Sequence, residues 1–128
     1  MILVVDDEAG YREVLTKILT KVGYRVITAA DGNEALTLLE HSQFNLIISD
    51  IFMPNINGYA LAARIRAKDA DVPIILISGY LSQDTAKNLL GGSTVYIAKP
   101  VDPELMIATA QRLISSGGKK SDSVISVG

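Results

Sequence analysis

The sequence predicts an α/β fold, a doubly wound parallel sheet of five strands with helices on both faces. Three observations predict it. Four short apolar runs, Ile2-Leu3-Val4-Val5, Leu46-Ile47-Ile48, Ile74-Ile75-Leu76-Ile77 and Val95-Tyr96-Ile97-Ala98, have the continuity of strands buried on both sides. Segments of helical period stand between them. Strand then helix repeats five times, and a helix at each crossover is what neighbouring parallel strands need.

The elements follow in order. After the strand at Ile2–Val5, Tyr11, Val14, Leu15, Ile18, Leu19 and Val22 recur along one helical face, and Gly23 is a C-terminal stop. Tyr24-Arg25-Val26-Ile27-Thr28 partly alternates, which suits a strand nearer the edge. Asp31-Gly32-Asn33-Glu34 reads as a capping box, Asp31 as N-cap and Glu34 reaching back, before Ala35, Leu36, Leu38 and Leu39. Following the third strand, the Asn57-Gly58 turn signal opens a helix over Tyr59 to Ala67. The fourth strand precedes a short helix from Ser82 through Leu90, closed by Gly91-Gly92. Asp102-Pro103-Glu104, a cap residue before proline, opens the fifth helix, which runs through Ile114. From there Ser115-Ser116-Gly117-Gly118-Lys119-Lys120-Ser121 has the composition of a tether. The expected division is a folded unit over residues 1–115 and a flexible tail over 116–128.

Composition narrows the class. A chain of 128 residues suffices for one domain, and 48% apolar residues suffice for its core. The absence of Cys excludes a disulfide framework and a thiolate metal site. Twelve Lys and Arg against 14 Asp and Glu leave a formal charge of −2, with no basic run beyond Lys119-Lys120. That is no electrostatic footprint for nucleic acid or an anionic membrane. The apolar runs fall far short of the roughly 18 residues that span a bilayer. With no leader pattern at the start, a soluble cytoplasmic protein is expected.

Function is written at the carboxyl ends of the strands. The first ends in Asp6-Asp7, the third in Asp50, the fourth in Ser78 and the fifth in Lys99-Pro100. Open α/β sheets bind ligands at these ends, where strand order reverses. An Asp after a strand can be a mere helix cap and a serine a mere turn residue, but together these side chains converge on one cleft. Carboxylates roughly 4 Å apart repel by about 1 kcal/mol in water and about 4 kcal/mol at an effective dielectric of 20. Three of them need cations. Lys99 supplies one charge and a divalent ion two more. Hard oxygen ligands, without His or Cys, favour Mg²⁺ or Mn²⁺. An Asp beside such an ion can form an acyl phosphate, with Lys99 and the Ser78 hydroxyl holding phosphoryl oxygens. The cleft is chemically suited to receive a phosphoryl group.

These residues, in this order, resemble the receiver domain of bacterial two-component response regulators. The resemblance rests on Val4-Val5-Asp6-Asp7-Glu8, on Asp50-Ile51-Phe52-Met53-Pro54 with Gly58 downstream, on Ser78-Gly79 and on Tyr96-Ile97-Ala98-Lys99-Pro100, and it covers about residues 1–115. It implies a flavodoxin-like strand order 2-1-3-4-5, for which a member of this family is among the stock examples. By resemblance Asp50 is the phosphoacceptor. Asp6, Asp7, Asp50 and the backbone carbonyl of Phe52 are implied metal ligands, for Mg²⁺ with Mn²⁺ possible. Ser78 and Lys99 are the implied phosphoryl-binding residues, and Ser78 and Tyr96 the switch pair. Phosphorylation adds charge and oxygens that draw Ser78 inward, so that Tyr96 turns and the face of the fourth helix, fifth strand and fifth helix changes. The implied partners are a histidine kinase or phosphotransfer protein and an output domain or partner protein. A homodimer is possible, and neither nucleic acid nor membrane is bound directly.

The chain departs from the family pattern in places. Gly92-Ser93-Thr94-Val95 stands where many members carry Gly-Ala-Asp-Asp, which weakens the expectation of inter-subunit charge pairs on that face. Phe52 and Tyr80, two residues after Asp50 and Ser78, are bulky enough to restrict attacking water. His41, the only histidine, falls at the end of the second helix, so the phosphodonor histidine must be foreign. Three other readings compete. A Mg²⁺-dependent phosphohydrolase carries its nucleophile after the first strand in an Asp-x-Asp pattern, which adjacent Asp6-Asp7 does not match. An FMN carrier needs a phosphate loop where Asp6-Asp7-Glu8 would repel phosphate. A receiver working by contact alone has no use for the complete acidic set.

Overall fold

The computed structural model describes residues 1–79 and 94–116. Its elements are β1 (Ile2–Val5), α1 (Ala9–Thr20), β2 (Val26–Ala29), α2 (Gly32–His41), β3 (Leu46–Asp50), α3 (Gly58–Lys68), β4 (Ile74–Ser78), β5 (Thr94–Ala98) and a C-terminal helix (Pro103–Ser116). The strands form one parallel sheet in the order β2-β1-β3-β4-β5, as the resemblance implies. The helix expected from Ser82 to Leu90, Tyr80 and residues 117–128 lie outside the described residues. The C-terminal helix runs two residues past Ile114 and one into the stretch expected as tail.

Strand side chains alternate between two faces. Leu3, Val5, Ile47, Ile74 and Leu76 pack on one side with Ala35, Leu61, Ala62 and Ile65 of α2 and α3. Ile2, Val4, Leu46, Ile48, Ile75, Ile77 and Ile97 pack on the other with Leu15, Leu19, Met106, Ala110 and Leu113 of α1 and the C-terminal helix. Both faces of β1, β3 and β4 are buried, which explains their unbroken apolar runs. A fully buried Leu contributes roughly 1.5–3 kcal/mol relative to an exposed one, so Leu15 and Leu19 hold α1 down.

Local chemistry sets the boundaries. Asp31 caps α2 by accepting from Glu34 N–H at 2.8 Å, while Glu34 reaches back to Ala30 N–H at 3.2 Å rather than to the cap's own amide. The box forms one residue wider than its usual pattern. Asn57 is more than a turn residue: it caps α3 by accepting from Ala60 N–H at 2.8 Å. α1 starts two residues before Tyr11 and ends before Val22, so Val22, like Val14, is largely exposed and both leave the expected face. Gly23 ends the turn after α1 at φ +99°, a conformation that favours glycine. Tyr24 N–H then returns to Leu19 O at 3.2 Å, which delays β2 to Val26.

Candidate functional site: an acidic cleft at the strand ends

The alternation that builds the core also aims the polar residues. Asp50 continues the face of Leu46 and Ile48 at the last position of β3, and Asp6 and Lys99 follow Val4 and Ile97 with the same period of two. All three therefore rise from the side of the sheet that carries α1. One carboxylate oxygen each from Asp6, Asp7 and Asp50 lies within 4.8 Å of the others. Asp6 and Asp50 are buried; Asp7 is exposed at the mouth. Lys99 Nζ stands 3.6 Å from Asp50 Oδ2, 3.8 Å from Asp6 Oδ2 and 3.7 Å from Glu8 Oε1. A cis Lys99–Pro100 peptide bond follows the ammonium's own residue.

The electrostatics match the crowding. Burial pushes Asp6 up to about 6 from its usual 3.8, with Asp50 and Asp7 adding to it and the Glu8 amide and Lys99 opposing. Asp50 is also raised, chiefly by burial, with Lys99 the main opposing influence. For Lys99 burial is the largest single influence and acts downward, but attraction by Asp6, Asp50 and Glu8 overrides it and raises the ammonium. One lysine does not satisfy these acids. Asp6 Oδ1 accepts from Glu8 N–H at 2.9 Å, whereas the buried Asp6 Oδ2 has no hydrogen-bond donor among the described residues. An orphaned buried carboxylate oxygen facing two more carboxylates fits a hard divalent cation.

Ser78 is buried at the end of β4, opposite Ala98 in the register, and its carbonyl accepts from Lys99 N–H at 2.9 Å. As the last residue of β4 it stands at the same strand-end edge as Asp50, one position beyond the rung that pairs Asp50 with Ile77. Tyr96 lies on the face of the sheet that carries α3. Its ring is half-buried beside the α3 cluster, its buried hydroxyl has no hydrogen-bond partner among the described residues, and burial, with Tyr59 adding, raises its ionisation. The structure thus brings Asp6, Asp7, Asp50 and Lys99 together and sets Ser78 beside them, with Tyr96 on the other side of the sheet. Phe52 follows in the loop after β3 with its side chain 58% exposed. His41 is exposed at the end of α2.

Three further residues shape the cleft. Glu8 shares Lys99, and Arg12 Nη1 donates to the Asp6 carbonyl at 2.7 Å. Lys99 Nζ lies 4.2 Å from the centroid of the Tyr11 ring, and the Tyr11 hydroxyl accepts from Val101 N–H at 3.1 Å. In the sequence Tyr11 reads only as a core position on α1, because its partners lie some ninety residues away.

A parallel sheet of order 2-1-3-4-5 with an acidic, lysine-bearing cleft at its carboxyl edge is a doubly wound α/β domain with its ligand site at the strand ends. A family model described as response regulator receiver domain matches residues 2–111, and the chain belongs to that family. It is the receiver domain of a two-component response regulator, a signalling switch. Among curated proteins it is 39% identical over 116 residues to a probable transcriptional regulator, ycf27, of Cyanophora paradoxa, covering 88% of this chain and 47% of that protein. It is 33% identical to the transcriptional regulatory protein AfsQ1 of Streptomyces coelicolor, covering 99% of this chain and 56% of that one. The chain spans about half the length of the curated relatives it matches. Among solved structures, the receiver domain of NtrX from Brucella abortus superposes with TM-score 0.83 at 30% identity, covering 91% of this chain and 99% of that one. The receiver domain of the sensor histidine kinase PA1611 from Pseudomonas aeruginosa gives TM-score 0.80 at 32% identity, covering 90% of this chain and 97% of that one. That structure has a magnesium ion coordinated in its active site cleft. No helix among the described residues of this chain is long and apolar enough to cross a membrane.

Proposed function

We propose that Asp50 accepts a phosphoryl group from a phosphohistidine of a partner kinase or phosphotransfer protein. The observation that carries this is the convergence of Asp6, Asp7 and Asp50 within 4.8 Å, with Lys99 at 3.6 Å from Asp50. An Asp50 carboxylate oxygen attacks phosphorus, the P–N bond breaks, and its electron pair stays on the imidazole nitrogen, which takes a proton. Asp6, Asp7, Asp50 and the Phe52 carbonyl would hold Mg²⁺, or Mn²⁺ in its place. Such an ion would supply charge neutralisation at the phosphoryl oxygens. Lys99 and the Ser78 hydroxyl take the remaining oxygens.

Acceptance then biases Ser78 and Tyr96 and alters the face around β5 and the C-terminal helix, where an output domain, a partner protein or a second copy binds. The chain catalyses its own acceptance and its own dephosphorylation and turns over no metabolite. Residues 1–115 form the switch and 116–128 a tether, in a cytoplasmic setting. Incubation with acetyl phosphate and Mg²⁺ followed by intact mass tests the reading. One phosphoryl adduct, lost in Asp50→Asn and on chelation, is expected; no adduct in the wild type would overturn it.

A further inference from the structure

The geometry points to Tyr11 as the positioning residue of the cleft, its ring carrying the Lys99 ammonium and its hydroxyl pinning the loop that follows the lysine. The inference rests on the acceptor reading of Asp50. Lys99 sits after the last residue of β5, where the regular ladder ends, and three carboxylates compete for it at 3.6–3.8 Å. Point charges alone leave a long, rotatable stem unplaced. Tyr11 adds two constraints from one side chain: its ring face lies 4.2 Å from Nζ, and its oxygen accepts Val101 N–H at 3.1 Å, two residues past Lys99. The ring packs against the core cluster of α1 and the C-terminal helix, so its own position is set by burial.

The chemistry suits an ammonium that must change partners. A carboxylate such as Glu8 holds Lys99 by charge and competes with any incoming anion. An aromatic face attracts the cation without neutralising it, so Lys99 stays charged and close while free to pair with a phosphoryl oxygen. Tyr11 touches no reacting atom. It acts through Lys99.

The test pairs kinetics with a signature of the ring. Adduct formation from acetyl phosphate and Mg²⁺ is followed by intact mass, and the Lys99 ε-protons, assigned by their loss in Lys99→Arg, by NMR. In the wild type these protons are expected upfield of those of the exposed lysines, displaced by the ring current. Tyr11→Leu should return them to the common range and slow adduct formation roughly 3- to 10-fold, the range of a partly buried cation–π contact. Its Mg²⁺ affinity should not fall, since no carboxylate is touched. Tyr11→Phe and Tyr11→Trp should keep the upfield position and regain most of the rate; if Tyr11→Leu does not fold, these two variants and the wild-type shifts decide. Wild-type rates in Tyr11→Leu, or Lys99 ε-protons grouped with the exposed lysines in the wild type, would overturn the role of Tyr11. Absence of any adduct in the wild type would instead bring down the acceptor reading.

Discussion

Lys99 Nζ lies 3.6 Å from Asp50 Oδ2, the closest of its three carboxylate contacts, and each residue opposes the effect of burial on the other. The ammonium stands in the region where a divalent ion and phosphoryl oxygens would gather. Lys99→Ala is therefore expected to act in two directions. Removing a cation from the cluster should tighten Mg²⁺ binding about 3- to 10-fold at pH 8. Removing a donor to the transferring group should slow phosphoryl acceptance on the order of 100-fold. Calorimetric Mg²⁺ titration and intact-mass kinetics read the two separately; a parallel loss of both would contradict this division.

Asp6 ties stability to pH. Its folded value of about 6 lies above the ordinary 3.8, so its favourable contribution to folding is full below 3.8 and is lost as pH rises through about 6. The difference corresponds to about 3 kcal/mol of stability, with Asp50 acting in the same direction. Metal-free protein should show this loss between pH 4 and pH 7 in urea titrations. Asp6→Asn should flatten the dependence, and saturating Mg²⁺ should restore stability at the alkaline end, because it binds the ionised cluster. A wild-type profile as flat as that of Asp6→Asn would refute the assignment.

Gly58 holds the acidic strand end in place by what it lacks. A Cβ there would stand 2.5 Å from the Asp50 carbonyl oxygen and 2.7 Å from Ile51 Cα, both backbone atoms that cannot swing aside. Gly58→Ala should cost about 2–3 kcal/mol through forced displacement of the β3 end. Weakened Mg²⁺ binding should accompany it. Chemical denaturation and metal titration check both; an alanine variant as stable as the wild type would mean the approach is looser than the structure has it.

Arg66 on α3 ties the opposite ends of the strands. Its Nη1 donates to the Val72 carbonyl and its Nη2 to Thr94 Oγ1 at 3.0 Å, while burial lowers its ionisation and Asp69 and Asp71 counter that effect. Thr94 stands where many receivers carry an acid, and here it receives an internal guanidinium. Arg66→Ala should lose about 2 kcal/mol of stability, as expected for hydrogen bonds from a charged donor. Mg²⁺ affinity should not change, because Asp6, Asp7 and Asp50 lie at the far edge of the sheet. A weakened Mg²⁺ site in this variant would show that the two edges are coupled.

The strands were legible almost to the residue because their unbroken Ile, Leu and Val runs answer one condition, burial on both faces. Helix starts were less so. α1 opens at Ala9 behind Glu8, which makes no side-chain cap bond, so nothing local announces it; the nearby Asp6 carboxylate takes the Glu8 amide instead. Val14 obeyed the period yet lies at the edge of the buried stripe. The cleft residues were readable because each ends a strand. Tyr11, Arg12 and Gly58 were not, since what they do depends on contacts across the fold, and a glycine after an asparagine reads as a turn whether or not backbone presses against it.

The two-residue alternation of the strands has a further consequence. Asp6, Asp50 and Lys99 occupy one side of the sheet and Tyr96 the other, so the sheet is a partition with the charged chamber on one side and the half-buried tyrosine on the other. Under the proposed acceptor role of Asp50, a change there has to cross that wall to reach Tyr96. One passage is the rung between β4 and β5, where the Lys99 amide donates to the Ser78 carbonyl at 2.9 Å and so ties the lysine to the end of the neighbouring strand.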